Sequence, residues 1–235
     1  MQTKEAQLLD DALLLVEQNF YFLSAGQFFG KLAKTTTFDE SQMDVSMTFD
    51  AINTYRFNPT LTKVVLADAY GMSTSNEVSL FEYFVAFNAF RGMCMAMVEG
   101  LRLESGFRFF LEKRLGERFE DFFDILSFVR NVLSHNIHAE IILNAKDYEG
   151  TLKRIRRMHR NPLIEFYFIY AEDLPEVEAP YPSYGFTCKV DFEALHEEMT
   201  FLEVIPLWEL LMLCELSFNL VQAYRMTTVP IVEVE

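Results

Sequence analysis

Apolar residues recur at helical spacing along most of this chain. Leu8, Leu9, Ala12, Leu13, Val16, Phe20 and Leu23 fall three or four apart, with Asp10, Asp11, Glu17 and Gln18 between them. That pattern predicts an amphipathic helix over residues 5–33. Thr35-Thr36-Thr37 breaks it. Acidic residues from Asp39 predict the first turn of a second helix, running to Tyr55. Asn58 followed by Pro59 is a cap with proline at the first helical position, which predicts a short helix to about Tyr70 before Gly71. Residues 77–103 carry Phe81, Phe84, Val85, Met95 and Val98 and are apolar nearly all round, as the central helix of a bundle would be. Residues 117–135 gather Phe119, Phe122, Phe123, Leu126, Val129 and Leu133 on one broad face and predict a further helix.

The period changes after His138. Residues 163–170 are aromatic and β-branched, bounded by Asn161-Pro162 and Glu172-Asp173, and predict a strand. Residues 184–192 alternate, with Phe186, Cys188, Val190 and Phe192 on one side and Thr187, Lys189 and Asp191 on the other. They predict a second strand, joined to the first by a loop rich in proline. A last long helix is expected over 192–224, kinked at Pro206. The expected fold is mainly α: a helical bundle with a small β-hairpin inserted before the last helix. One domain spans 1–235, in which residues 1–72 would form an N-terminal helical extension.

Composition supports a packed chain. It is 51% hydrophobic with 24 Phe, enough to bury a sizeable core, so disorder is not expected. Phe28-Phe29, Phe109-Phe110 and Phe122-Phe123 read first as core, with a dimer interface the other use for surplus aromatics; Trp208, among Leu207, Leu210 and Leu211, reads as core. The three cysteines, at 94, 188 and 214, are odd in number and lack zinc spacing, which predicts buried thiols in a reducing compartment. The first residues are polar, unlike a signal peptide. The apolar stretch 201–220 is interrupted by Glu203, Pro206, Glu209 and Glu215, so a core helix is expected there and no membrane span. The cytoplasm is the expected location.

The net charge of −15 repels nucleic acid at long range. Two local features run against it. Lys153, Arg154, Arg156, Arg157 and Arg160 place five cations within eight residues, a candidate surface for an RNA backbone. The other reading of this run is a solvated helix paired with acidic residues.

The second feature is Arg130-Asn131-Val132-Leu133-Ser134-His135, at the end of the predicted 117–135 helix. Asn131 and His135 are four apart and share a helix face. His135 suits proton transfer near neutral pH. Arg130 supplies a fixed positive fork for phosphate charge. Arg154 and His159 share the bare spacing but have Ile155 where the first match has Asn131.

This arginine–polar–x3–histidine pattern resembles the signature of HEPN domains. The resemblance, over about residues 77–225, implies a helical bundle acting as a homodimer, with one composite site between two copies. It implies a metal-independent endoribonuclease of a toxin or defence system, with Arg130, Asn131 and His135 as catalytic residues, RNA as substrate and an antitoxin as a further partner. No metal or other cofactor is expected; His138 and Glu140 lie near His135, but no second ligand cluster accompanies them. The alternative is a non-catalytic helical binding or dimerisation module. Arg130 would then pair with Glu120, Asp124 or Glu140, and His135 would cap its helix.

Overall fold

Helices account for most of the computed structural model, which describes residues 4–35, 46–48, 53–61, 80–103, 105–136 and 141–228. The first is α1, Lys4–Thr35. A short hairpin follows, β1 (Ser46–Thr48) and β2 (Thr54–Arg56), with Met47 opposite Tyr55. Then come α2 (Leu80–Arg102), α3 (Gly106–Leu115), a 3-10 turn at Gly116–Arg118, and α4 (Phe119–His135). Next are α5 (Ala145–Arg157), β3 (Leu163–Ile169) and one helical turn, α6 (Tyr170–Asp173). The chain ends with β4 (Gly185–Asp191), a second single turn, α7 (Phe201–Val204), and α8 (Leu207–Thr228). The protein is mainly α, with a β-hairpin ahead of its last helix.

The chain divides into two compact units, residues 1–20 with 89–235, and residues 21–88. In the smaller unit, Gly26 of α1 meets Val85 of α2 so closely that a Cβ would collide with the valine. The β1–β2 hairpin corrects the helix expected over 39–55. Its strands are three residues long and exposed throughout, so no buried face imprints a period of two on the sequence. The Thr48 and Thr54 hydroxyls share a hydrogen bond of 3.2 Å across it. The Asn58 side chain accepts the Leu61 N–H at 3.1 Å, as its reading as a cap requires. The rest of the short helix expected to Tyr70 lies outside the described residues.

The larger unit holds most of the core. Phe90, Met93 and Met97 of α2 are fully buried, with Phe122 and Phe128 of α4 and Phe166 and Phe168 of β3. Each such side chain contributes about 1.5–3 kcal/mol. Aromatic contacts tie the hairpin to α4: Phe122 meets Phe166 at 5.3 Å, and Phe128 meets Phe192 at 5.5 Å. β3 and β4 pair antiparallel from Leu163 opposite Asp191 to Ile169 opposite Gly185. The Phe168 carbonyl oxygen occupies the space a Gly185 Cβ would need, so glycine is required there. Residues 83–102 of α2 have the length and composition of a membrane span, but 67% of that window is buried inside the protein, as in a core helix.

Two further expectations are corrected. No continuous helix covers 192–224. Residues 193–199 are turns and bends; Thr200 and Glu203 form a capping box that starts α7, and Pro206 separates α7 from α8. His196 therefore lies in irregular chain between two turns. Trp208 is 58% exposed and Phe109 68%, and Phe28 and Phe29 are exposed as well; none of the four is core. The cysteines are all buried and free, and burial pushes the Cys94 thiol up to about 12.

Arg118 fastens the start of α4 to the end of β3. Its fork meets both Asp173 carboxylate oxygens, at 2.6 and 2.9 Å, and donates to the Tyr167 carbonyl at 2.9 Å. Burial alone would raise the Asp173 carboxyl, but Arg118 and the Ile169 N–H hold it below its ordinary value. A carboxyl lowered by folding stabilises above the ordinary carboxylate range and loses that contribution as pH falls through it. Asp173→Asn should therefore cost about 1–3 kcal/mol at neutral pH. Urea unfolding of both proteins should show the gap closing as the solution is acidified below pH of about 4; a gap that stays constant over that range refutes the assignment.

Candidate active site

The site is built at the junction of α4 and α5. α4 ends at His135 because Asn136 turns extended, with φ −118° and ψ 129°. Helix ends leave carbonyls without partners. Here Arg91 of α2 donates to the Leu133 carbonyl at 2.6 Å and the Asn136 carbonyl at 3.2 Å. The Asn136 side chain turns back to the Val132 carbonyl at 2.8 Å. α5 begins at Ala145 with Asn144 as its cap and Asp147 two residues further in, and these two form a capping box. The Asn144 N–H donates to the Asp147 carboxylate at 2.8 Å.

Asp147 is the centre of this junction. Its side chain is completely buried. Besides Asn144 it meets His135 Nδ1 at 3.1 Å and accepts from the Asn136 amide at 3.3 Å. Asn136 Oδ1 in turn accepts from the Asn144 amide at 3.2 Å. A carboxylate accepts and cannot donate, so the neutral imidazole carries its proton on Nδ1 and keeps Nε2 as an acceptor. The His135 side chain is 40% exposed, which leaves the ring open to solvent while its inner nitrogen is held.

Arg130 and His135 are joined only indirectly among the described residues. Arg130 donates to Asn131 Oδ1 at 2.8 Å, and the Asn131 amide reaches the Asp147 carbonyl at 3.5 Å. The other Arg130 contact is Glu99 of α2 at 3.4 Å. Glu99 is well exposed and held more closely by Arg102, at 2.7 Å. Neither Glu120 nor Asp124, both weighed as partners of Arg130, fills that role; Glu140 lies outside the described residues, as does His138.

Glu120 and Asp124 instead engage the basic segment. Arg154 pairs with both and lies 4.7 Å from the Phe123 ring centroid. Arg160 pairs with Asp121 and, at 2.6 Å, with Asp124. Arg160 is brought round by a left-handed His159, φ 56°. There the Arg160 N–H returns to the Ile155 carbonyl and the His159 N–H to Arg156, closing the helix with a Schellman motif. Lys153 pairs with Glu149 within α5, and Arg156 with Glu193, all four well exposed. Arg157 is exposed. The segment is thus helical to Arg157, with two of its five candidate RNA contacts turned onto α4.

Asp147, Asn136, Asn144 and Arg91 did not emerge from the sequence as functional residues. The Asn144-x-x-Asp147 pattern signals a helix start, and it places an acid one turn into a helix just after the motif. Nothing in the sequence pairs Arg91 with a helix end 42 residues later. An open cavity of about 420 Å³ is lined by Ser105, Arg108, Phe109 and Glu112 of α3 and its cap; none of the motif residues line it. No protein-family model, curated protein or solved structure matches the chain.

Asp147→Asn should expose both roles of this carboxylate. An amide at that position donates to Nδ1, so the neutral ring should move its proton to Nε2, read from imidazole nitrogen chemical shifts. Loss of charge-assisted bonds at a buried site should also cost about 2–4 kcal/mol of unfolding free energy. An unchanged tautomer would exclude Asp147 as the group that sets it.

Proposed function

We propose that this protein is a HEPN-like, metal-independent endoribonuclease of a toxin or defence system, acting in the cytoplasm as a homodimer. The observation that carries this reading is the half-exposed imidazole of His135, oriented through Nδ1 by buried Asp147. Arg130 and Asn131 lie within the same hydrogen-bonded chain.

In this reading His135 Nε2 takes the proton of a ribose 2′-hydroxyl as its oxygen attacks the adjacent phosphorus. Asp147 holds the ring in the tautomer that can accept and faces the imidazolium that forms. Arg130 places positive charge beside the phosphorane-like transition state. Asn131 orients the guanidinium and helps to hold the phosphate. The 5′-oxygen leaves with a proton supplied by the second copy's half of the composite site, giving a 2′,3′-cyclic phosphate and a 5′-hydroxyl end. Arg157, with the exposed Lys153 and Arg156, would meet the RNA backbone, while Arg154 and Arg160 anchor the helix that carries them. An antitoxin would cover this face.

The second reading is a non-catalytic binding or dimerisation module. The ion pair of Arg130 with Glu99 and the full hydrogen bonding of Asp147 favour it, since both also serve to lock helix ends.

The deciding experiment is cleavage of fluorescent single-stranded RNA in the presence of a chelator. The wild-type chain should cut, and His135→Ala should lose about 10²–10⁴-fold in rate with unchanged circular dichroism. Arg130→Ala should lose about 10²–10³-fold. Full activity in folded His135→Ala would end the ribonuclease reading and leave the binding module.

A further inference from the structure

The β3–β4 hairpin has two edges, and the chain treats them differently. The phase of the ladder is fixed at its ends. The Tyr170 N–H donates to the Tyr184 carbonyl at 2.9 Å, and the Phe192 N–H to the Pro162 carbonyl at 3.1 Å. Opposed residues of an antiparallel ladder alternate between pairs that exchange bonds and pairs that do not. Ile164, Phe166 and Phe168 therefore bond across to Val190, Cys188 and Phe186, and the odd-numbered residues turn their N–H and C=O groups outward. On β3, three of those outward groups are taken. The Leu163 N–H donates to Asn161 Oδ1 at 3.0 Å and the Ile169 N–H to Asp173 at 2.9 Å, while the Tyr167 carbonyl accepts from Arg118.

The edge of β4 is left open. The turn after it takes only the last carbonyl, that of Asp191, through the Ala194 N–H at 3.1 Å. The outward backbone groups of Thr187 and Lys189 meet no hydrogen-bond partner among the described residues, and both side chains are exposed. Sheet edges are commonly guarded by a proline, a bulge or a lysine. β4 has no proline, and its register with β3 is unbroken. Lys189 leans toward Glu165 of β3, at 3.9 Å, and so away from the open side.

We infer that the β4 edge receives an extended segment of another protein as a third, antiparallel strand. A row of donors and acceptors at strand spacing is matched by a backbone in the same extended form. The side chains of such a segment meet two surroundings. Those on the inner side continue the buried layer of Phe186, Cys188 and Val190. The first turn of α8 lies against that layer, where the Cys188 thiol donates to the Glu209 carboxylate. Apolar β-branched residues suit that side. Those on the outer side stand beside Thr187 and Lys189, where an acid opposite Lys189 gains a cross-strand partner. The partner is thus a stretch of about five residues, β-branched and polar in alternation, with a carboxylate at its centre. The edge includes none of Arg130, Asn131 or His135, so the inference is independent of RNA cleavage.

The test uses the full chain and a fluorescein-labelled peptide, threonyl-valyl-glutamyl-valyl-threonine with blocked ends. Fluorescence anisotropy should show saturable binding, weaker by about twofold to fivefold when lysine replaces the peptide's glutamate. In an antiparallel pair the N–H of that glutamate points at β4 and those of the valines point away. N-methylation of the glutamate should therefore abolish binding, and N-methylation of a valine should not. Exchange of the Thr187 and Lys189 amide protons, followed by NMR, should slow by about tenfold or more with peptide bound. Thr187→Pro removes one outward N–H and spares the ladder to β3; it should keep the wild-type circular dichroism and lose the peptide. The methylated pair decides the matter even if that variant fails to fold. No saturable binding by about 1 mM peptide overturns the inference. So does equal binding of the two methylated peptides, or protection of the Thr187 and Lys189 amides before peptide is added, since a second copy or the chain itself would then hold the edge.

Discussion

Two fully buried carboxylates, Asp124 and Asp147, hold α4 and α5 together. A carboxylate removed from water is tolerated only where charge and donors surround it. Asp147 meets that demand at the end of α4, through His135, Asn136 and the first turn of α5. Asp124 meets it further back, through Arg154 and Arg160. The two contacts fix α5 antiparallel along α4, and everything the motif could do follows from that register. If α5 slid by one turn, Asp147 would leave His135 and Arg154 would leave Asp124 together. The ion cluster is therefore more than surface charge. Burial pushes the Asp124 carboxyl up, offset in part by the two guanidinium groups.

The local reversal of charge in Lys153–Arg160 takes a different meaning in this light. Against a net charge of −15 it reads first as a phosphate-binding stretch. In the fold, Arg154 and Arg160 answer Glu120, Asp121 and Asp124, which follow the start of α4 and suit its positive helix end. Basic residues at the end of α5 likewise suit that helix's negative end. Both helices are thus compensated end to end by the same pairing. Lys153, Arg156 and Arg157 are the cations this arrangement leaves outermost.

Much of the fold was legible because burial writes its period into the chain. α4 begins and ends within two residues of its expected bounds, α2 ends within one, and β3 and β4 begin and end within one. What escaped had no such imprint. Ser46–Thr48 and Thr54–Arg56 are exposed throughout, so their sequence carries no inward face. The break at 193–206 runs through the polar Glu193, His196, Glu197 and Glu198 ahead of the apolar stretch; its signal was the cap Thr200-x-x-Glu203. The site was half legible for the same reason. Arg130, Asn131 and His135 stand out as a motif, but their orientation depends on Asp147, whose only local signature is a helix start.

The outward face of α1 shows the limit of reading one side of a helix. Leu8 counts equally well toward an inward stripe or an outward one, because Leu9 follows it and Leu13, Leu14 and Leu15 continue the ambiguity. In the fold the choice is made: Leu9 and Leu13 turn inward, Leu8, Leu14 and Leu15 outward. The outward residues repeat at seven, while the inward set (Leu9, Ala12, Leu13, Val16) follows the three-and-four spacing of packing onto a bundle.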